Sequence, residues 1–191
     1  MKKILIGTHN KGKFKEIAYL ISKKYKKISP INLKINSPKE TGKSFISNSR
    51  LKVKFFSKFV NYSVISDDSG LCIQSLNGKP GIYSARMAKK YGSFHKAMKF
   101  ILKKLEKKKN RRAIFVCSLS YRDTKGKIVS VEGRLNGRIS KKIIGKKGFG
   151  YDPIFIPLKE EITFGQMSKF KKIKMDHRYL AFKKLKRKIK I

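Results

Sequence analysis

The chain has 191 residues, 40% of them hydrophobic and 11% aromatic, which is enough apolar material for a packed core, excludes a disordered chain, and leads us to expect one domain over residues 1–191. Its 50 Lys and Arg against 11 Asp and Glu leave a formal charge of +39, which attracts any polyanion. The lysines are spread along the whole chain among abundant Ile, Asn, Phe and Tyr, a pattern of AT-rich coding, so no dedicated nucleic-acid partner is expected.

Lys3 to Ile6 form a short apolar run, expected as a strand, that ends at Gly7, too soon for a signal peptide. A loop, Thr8-His9-Asn10-Lys11-Gly12-Lys13, leads into a helix marked by Phe14, Ile17, Ala18 and Ile21. Ile28 to Ile35 alternate as a second strand would, and Ser44 to Phe59 carry Phe45, Leu51, Phe55 and Phe59 at helical spacing. Val64 and Ile65 end an apolar strand at Asp67-Asp68-Ser69-Gly70, followed by a Gly- and Pro-rich loop through Arg86. Ser93 to Lys107 predict a helix with Ala97, Phe100, Ile101 and Leu105 inside. Ala113 to Tyr121 and Lys127 to Ile139 read as a hairpin around Asp123 to Gly126. After Gly148 to Pro153 come a short strand, a loop, and a last helix starting near Asp176, whose Lys- and Ile-rich end is expected to fray. Cys72 and Cys117 lie in apolar stretches without CxxC pairing, which predicts free thiols in a reducing, cytoplasmic compartment. No run is long enough to span a membrane.

Six of the eleven acids, Glu16, Glu40, Asp67, Asp68, Asp152 and Asp176, fall in or beside the Gly-rich stretches, as a metal or phosphate site requires. In the loop from Thr8 to Lys13, backbone N–H groups at a helix N-terminus converge with Lys11 and Lys13 on a spot suited to a phosphate chain. Gly7 to Lys13 satisfy GxxxxGK, but Phe14 stands where a P-loop places its Ser or Thr hydroxyl. Asp67 and Asp68 repel one another unless a cation or proton intervenes, which suggests a magnesium ion, with one acid able to take a proton from water. Since neighbours on a strand face opposite ways, one acid of the pair is expected to enter the site.

Thr8 to Lys13, Glu40-Thr41-Gly42 with Phe45, Asn48 and Lys52, Asp67 to Leu71, Asn77 to Arg86, Gly148 to Pro153 and His177-Arg178 occur in the order found in the inosine triphosphate pyrophosphatase family, which this chain resembles over nearly its whole length. That resemblance implies hydrolysis of ITP, dITP and XTP to the monophosphate and pyrophosphate by a magnesium-dependent homodimer. The fold expected is an elongated, two-lobed α/β fold with a central mixed sheet flanked by helices and the active site in the cleft between lobes. By the same resemblance Thr8, His9, Asn10, Lys11, Gly12, Lys13 and Lys52 bind the triphosphate, and Glu40 and Asp68 hold magnesium. Asp68 is then the proton acceptor and Ser69 touches substrate, while Phe149, Gly150, Tyr151 and Asp152 form the base-binding loop, Lys172 is a substrate-binding lysine, and His177 and Arg178 close over the base.

The chain departs from the family at Ser47 and Ser49, where Glu and Ala are usual, at Gln166 in place of Glu, and at Ile173 and Asp176 around Lys172. Two other readings compete: a P-loop phosphotransferase, resting on GxxxxGK, and a basic nucleic-acid-binding module, resting on the charge.

Overall fold

In the computed structural model, which describes residues 1–189, six strands form one sheet. They are β1 (Lys2–Ile6), β2 (Tyr25–Ile28), β3 (Ser63–Ile73), β4 (Arg112–Arg122), β5 (Ile128–Ile139) and β6 (Phe155–Pro157). Their order is β2-β1-β3-β4-β5-β6, with β1 parallel to β2 and β3 and β6 antiparallel to β5. The helices are α1 (Lys11–Leu20), α2 (Phe45–Phe56), α3 (Ser84–Lys90), α4 (Phe94–Lys104), α5 (Lys169–Ile173) and α6 (His177–Lys186). The fold is therefore mixed α/β, with β1-α1-β2 the right length for a parallel crossover.

Four sequence expectations are corrected. The strand expected over 28–35 stops at Ile28, because Ser29 caps a 3-10 turn over Pro30–Leu33 and Pro30 occupies its first position. The acid pair lies inside β3, which runs on to Ile73 with Leu71 and Ile73 fully buried. Gly70 reads as a breaker in sequence but permits a close approach: a Cβ there would sit 2.2 Å from the carbonyl oxygen of Gly81. Helices α3 and α5 replace expected loop, and α5 is capped by Ser168, whose side chain accepts from the Lys171 N–H. The expected fraying of the C-terminal end falls in part on residues outside those described.

The chain forms two compact units, the first from Met1–Asp68, Cys117–Gly133 and the segment from Arg178 on, the second from Ser69–Val116 and Arg134–His177. In the first, Ile4, Ile6, Ile17 and Ile65 pack with Leu119, Phe182 and Leu185, while Leu5, Val53, Phe56 and Val64 form a separate cluster. In the second, Leu71, Ile73, Ile101, Phe115, Phe155 and Phe164 make the core. Burying each such side chain contributes about 1.5–3 kcal/mol, which is what holds the polar segments described next in place.

Candidate active site

In the first unit, β1 ends at Ile6 and the chain turns into α1 through the expected phosphate loop. Asn10 caps α1, its Oδ1 accepting from the Lys13 N–H at 3.0 Å, and Thr8 Oγ1 accepts from the Asn10 N–H at 3.3 Å. Lys11 is exposed at the helix start, with Gly12 and Lys13 partly buried after it. The His9 ring is engaged elsewhere: Nε2 lies 2.9 Å from the Ile35 carbonyl and Nδ1 2.5 Å from Ser37 Oγ. A carbonyl only accepts, so Nε2 carries the proton and Nδ1 accepts from Ser37. What His9 offers the loop is therefore its backbone.

Lysines and acids meet beyond that loop. Lys13 Nζ lies 3.1 Å from Asp67 Oδ2, and Arg178 Nε lies 3.7 Å from the same oxygen. Arg178 also pairs with Glu16 of α1 at 2.8 Å, with both side chains buried. The Lys52 ammonium donates to the Asp67 carbonyl at 2.5 Å and lies 3.4 Å from Glu40 Oε1. Asp68 Oδ2 accepts from Asn48 Nδ2 at 2.9 Å.

Both aspartates are buried, at 0% and 3% exposure, yet their environments push them apart. Burial by itself raises Asp67, but Lys13, Lys52 and Arg178 outweigh it and hold the carboxyl at about 2. Burial raises Asp68 to about 6; Glu40 adds to the rise, while Lys13, Asn48 and Lys52 oppose it. Asp67 is thus a permanent anion that anchors cations, and Asp68 is the member able to change protonation near neutrality.

These residues also fit a magnesium ion. Among the described residues no group of three or more His, Cys, Asp or Glu side chains is placed to hold a metal. Magnesium needs fewer, since it is commonly held by one or two carboxylates, with waters and substrate phosphates completing the shell. Glu40 bears electrostatically on Asp68 and raises it, so a cation between these two carboxylates would relieve both.

In the second unit, a turn over residues 148–152 presents Phe149. Gly148 has φ 74°, and a Cβ there would fall 2.0 Å from Asp152 Oδ2. That oxygen accepts from the Phe149 N–H at 2.8 Å and from Lys172 Nζ at 2.6 Å. Lys172 Nζ lies 4.5 Å from the Phe149 ring centroid and 5.4 Å from that of Phe164. Asp152, buried at 2% exposure, therefore fixes both the loop and the lysine. Gly150 has φ 66°, and the Tyr151 hydroxyl donates to the Ser84 carbonyl at 2.9 Å, so that hydroxyl braces the fold. His177 is buried and stacks on Phe115, with centroids 4.7 Å apart. Ser69, next after Asp68 in β3, is partly buried.

The structure thus gathers Lys13, Lys52, Glu40, Asp68 and Arg178 in the first unit, and Phe149, Asp152 and Lys172 in the second. Sequence reasoning expected Arg178 with the base-binding residues, whereas its ion pairs are with Glu16 and Asp67. It gave Glu16 and Asn48 no role of their own and read Asp67 only as one half of the acid pair. Their signal was faint: two acids in a chain poor in acids, and an amide one helical turn before Lys52.

Three of the departures have local explanations. Ser47 Oγ accepts from the Ser44 N–H at 2.9 Å, completing the reciprocal cap of α2 that a Glu makes at this position. Ser49 Oγ lies 2.9 Å from Ser118 Oγ and 2.8 Å from Ser120 Oγ, a buried hydroxyl cluster. Gln166 Oε1 accepts from the Thr163 N–H at 3.0 Å, which a carboxylate oxygen could equally do.

The Ham1 family model matches residues 4–188. A Caulobacter vibrioides protein named dITP/XTP pyrophosphatase is 39% identical over 186 residues, covering 96% of each chain. A Borrelia duttonii protein of the same name is 40% identical, covering 98% of this chain and 96% of its own. Among solved structures, the Ham1 protein of Staphylococcus aureus superposes with a TM-score of 0.86 at 36% identity, covering 97% of both chains.

Proposed function

Because the chain belongs to the Ham1 family, we propose that it hydrolyses deaminated purine nucleoside triphosphates, ITP, dITP and XTP, to the monophosphate and pyrophosphate. The observation that carries this reading is the split between two adjacent aspartates, one held at about 2 and the other raised to about 6 beside two buried or half-buried lysines. Such a pair separates the tasks of holding cations and moving a proton.

In this reading the α1 N-terminus with Thr8 to Lys13, together with Lys52, binds the phosphates, and their charge is offset by the two ammonium groups. Asp68 accepts a proton as a water oxygen bonds to phosphorus and the α–β anhydride bond breaks, giving the nucleoside monophosphate and pyrophosphate. Glu40 and Asp68 would hold magnesium, which when bound would supply charge neutralisation on the phosphate oxygens. Asp67 keeps Lys13 and Arg178 in place. In the second unit, Phe149 stacks on the purine and Lys172 lies beside it, and a 6-keto group is selected because a mispaired 6-amino group costs about 1–3 kcal/mol. Homodimerisation and a cytoplasmic location belong to the same proposal. Their support is the family resemblance.

The test is to incubate the purified protein with ITP and magnesium and identify the products. Pyrophosphate with IMP supports the proposal; orthophosphate with IDP would overturn it and favour the P-loop reading.

A further inference from the structure

Asn48 has no part in the function as described so far, yet its side chain is fully buried and engaged at both ends. Its Oδ1 accepts from the Gly42 N–H at 2.8 Å, and its Nδ2 donates to Asp68 Oδ2 at 2.9 Å. The orientation of the amide is forced by its partners, since a backbone N–H can only donate and an ionised carboxylate can only accept. Gly42 stands two residues after Glu40. One planar group thus ties the segment that carries one candidate metal ligand to the carboxylate of the other.

The helix beneath Asn48 is held to suit. The cap at Ser44 and Ser47 fixes the start of α2, and Ser49 joins Ser118 and Ser120, with Ser120 joined in turn to Ser130 at 2.8 Å. Asn48 and Lys52 are four residues apart and share one helix face. From that face Asn48 reaches Asp68 and Lys52 reaches the Asp67 carbonyl, so α2 addresses two successive residues of β3. An amide suits this position because it offers a donor and an acceptor at fixed separation without a charge; Asp would add a third anion beside Glu40 and Asp68.

We propose that Asn48 is a positioning residue of the hydrolysis, which sets the Glu40 segment and the Asp68 carboxylate relative to one another; this rests on the pyrophosphatase reading. Asn48→Asp keeps an acceptor for Gly42 and replaces the donor to Asp68, whereas Asn48→Leu removes both. Two measurements on the full-length protein test the proposal. Hydrogen exchange at the Gly42 amide, read without nucleotide or metal, is expected to be protected in the wild type and faster in Asn48→Leu. Steady-state kinetics with ITP are expected to show kcat lower by about 10- to 100-fold in both variants, the usual effect of losing a partner that orients a ligand, with KM little changed.

Ser49→Ala serves as the structural control, since it loosens α2 without touching either acid. It is expected to lower Tm and leave kcat unchanged when assayed well below the melting range. The proposal is overturned if Gly42 exchanges as fast in the wild type as in Asn48→Leu, or if both Asn48 variants keep the kcat of Ser49→Ala. A wild type that releases no pyrophosphate would sink the parent reading, and the exchange experiment would still decide whether the clip exists.

Discussion

Asp67 and Asp68 are neighbours in one strand, both buried, and they titrate in opposite directions because the charges around them differ. Asp68 is raised to about 6, so its folded form binds a proton more tightly than the unfolded chain does. Its contribution to stability is present below the ordinary value near 3.8 and is lost as pH rises through about 6. Asp67 behaves in the reverse sense: its contribution is present above 3.8 and is lost as pH falls through about 2. Asp68→Asn is therefore expected to abolish ITP hydrolysis while making the fold more stable above pH 6, by about 2–3 kcal/mol at 1.4 kcal/mol per unit. Denaturant melts at pH 5 and pH 8 check the second half, and equal stability gains at both would refute the assignment. In wild type, kcat/KM should fall on the acid side with a midpoint near 6, at or below it where magnesium favours the carboxylate. The Asp152–Lys172 pair is a different case, since both side chains are buried and breaking such a pair leaves an uncompensated charge. Asp152→Asn should destabilise by about 3–5 kcal/mol, measurable by thermal or denaturant unfolding.

At the scale of elements, α2 and the turn over 148–152 do most of the placing. The turn depends on Gly148, whose φ of 74° and lack of a Cβ let Asp152 reach the Phe149 N–H and Lys172 together. Gly148→Ala is expected to raise KM for every purine triphosphate and to leave kcat nearly unchanged, because it disturbs the turn that presents Phe149 and none of the acids proposed to act in the hydrolysis. Phe149→Ala tests stacking more directly: affinity for ITP and ATP should fall by a similar factor, about 1–3 kcal/mol each, so that selectivity survives. Loss of the preference for ITP with unchanged affinity would assign Phe149 to base reading instead. The elements themselves were readable where periodicity was strong. The stripes of α1, α2 and α4 and the hairpin around Asp123 to Gly126 were anticipated to within a few residues. The differences have local causes: Ser29-Pro30 overrides an alternating run, Gly70 sits within β3 where a glycine ordinarily marks a stop, and α3 and α5 are too short to show a period.

For the whole molecule, the charge of +39 is the most conspicuous quantity and the least tied to the proposed chemistry. If it reflects coding composition, RNA binding should be weak, indifferent to sequence and lost on raising salt, because phosphate contacts release counterions. Binding to one RNA sequence that persists at moderate salt would show a built surface. Light scattering on the eluting protein settles whether it is a homodimer.

Order along the chain was enough to find the Thr8 to Lys13 loop before a helix, the acid pair, the Phe149 to Pro153 segment and the mixed α/β class, because each is a local pattern of residue types. It was also enough to exclude a P-loop magnesium site at Phe14. The partners were beyond its reach. That Asp67 is held by Lys13 and Arg178, that Asn48 links Gly42 to Asp68, and that His9 turns its ring toward Ile35 and Ser37 are contacts between residues as much as 111 positions apart. The values of about 2 and about 6 on two consecutive aspartates follow from those contacts. Protonation depends on burial and neighbouring charge, and both of those are properties of the folded chain.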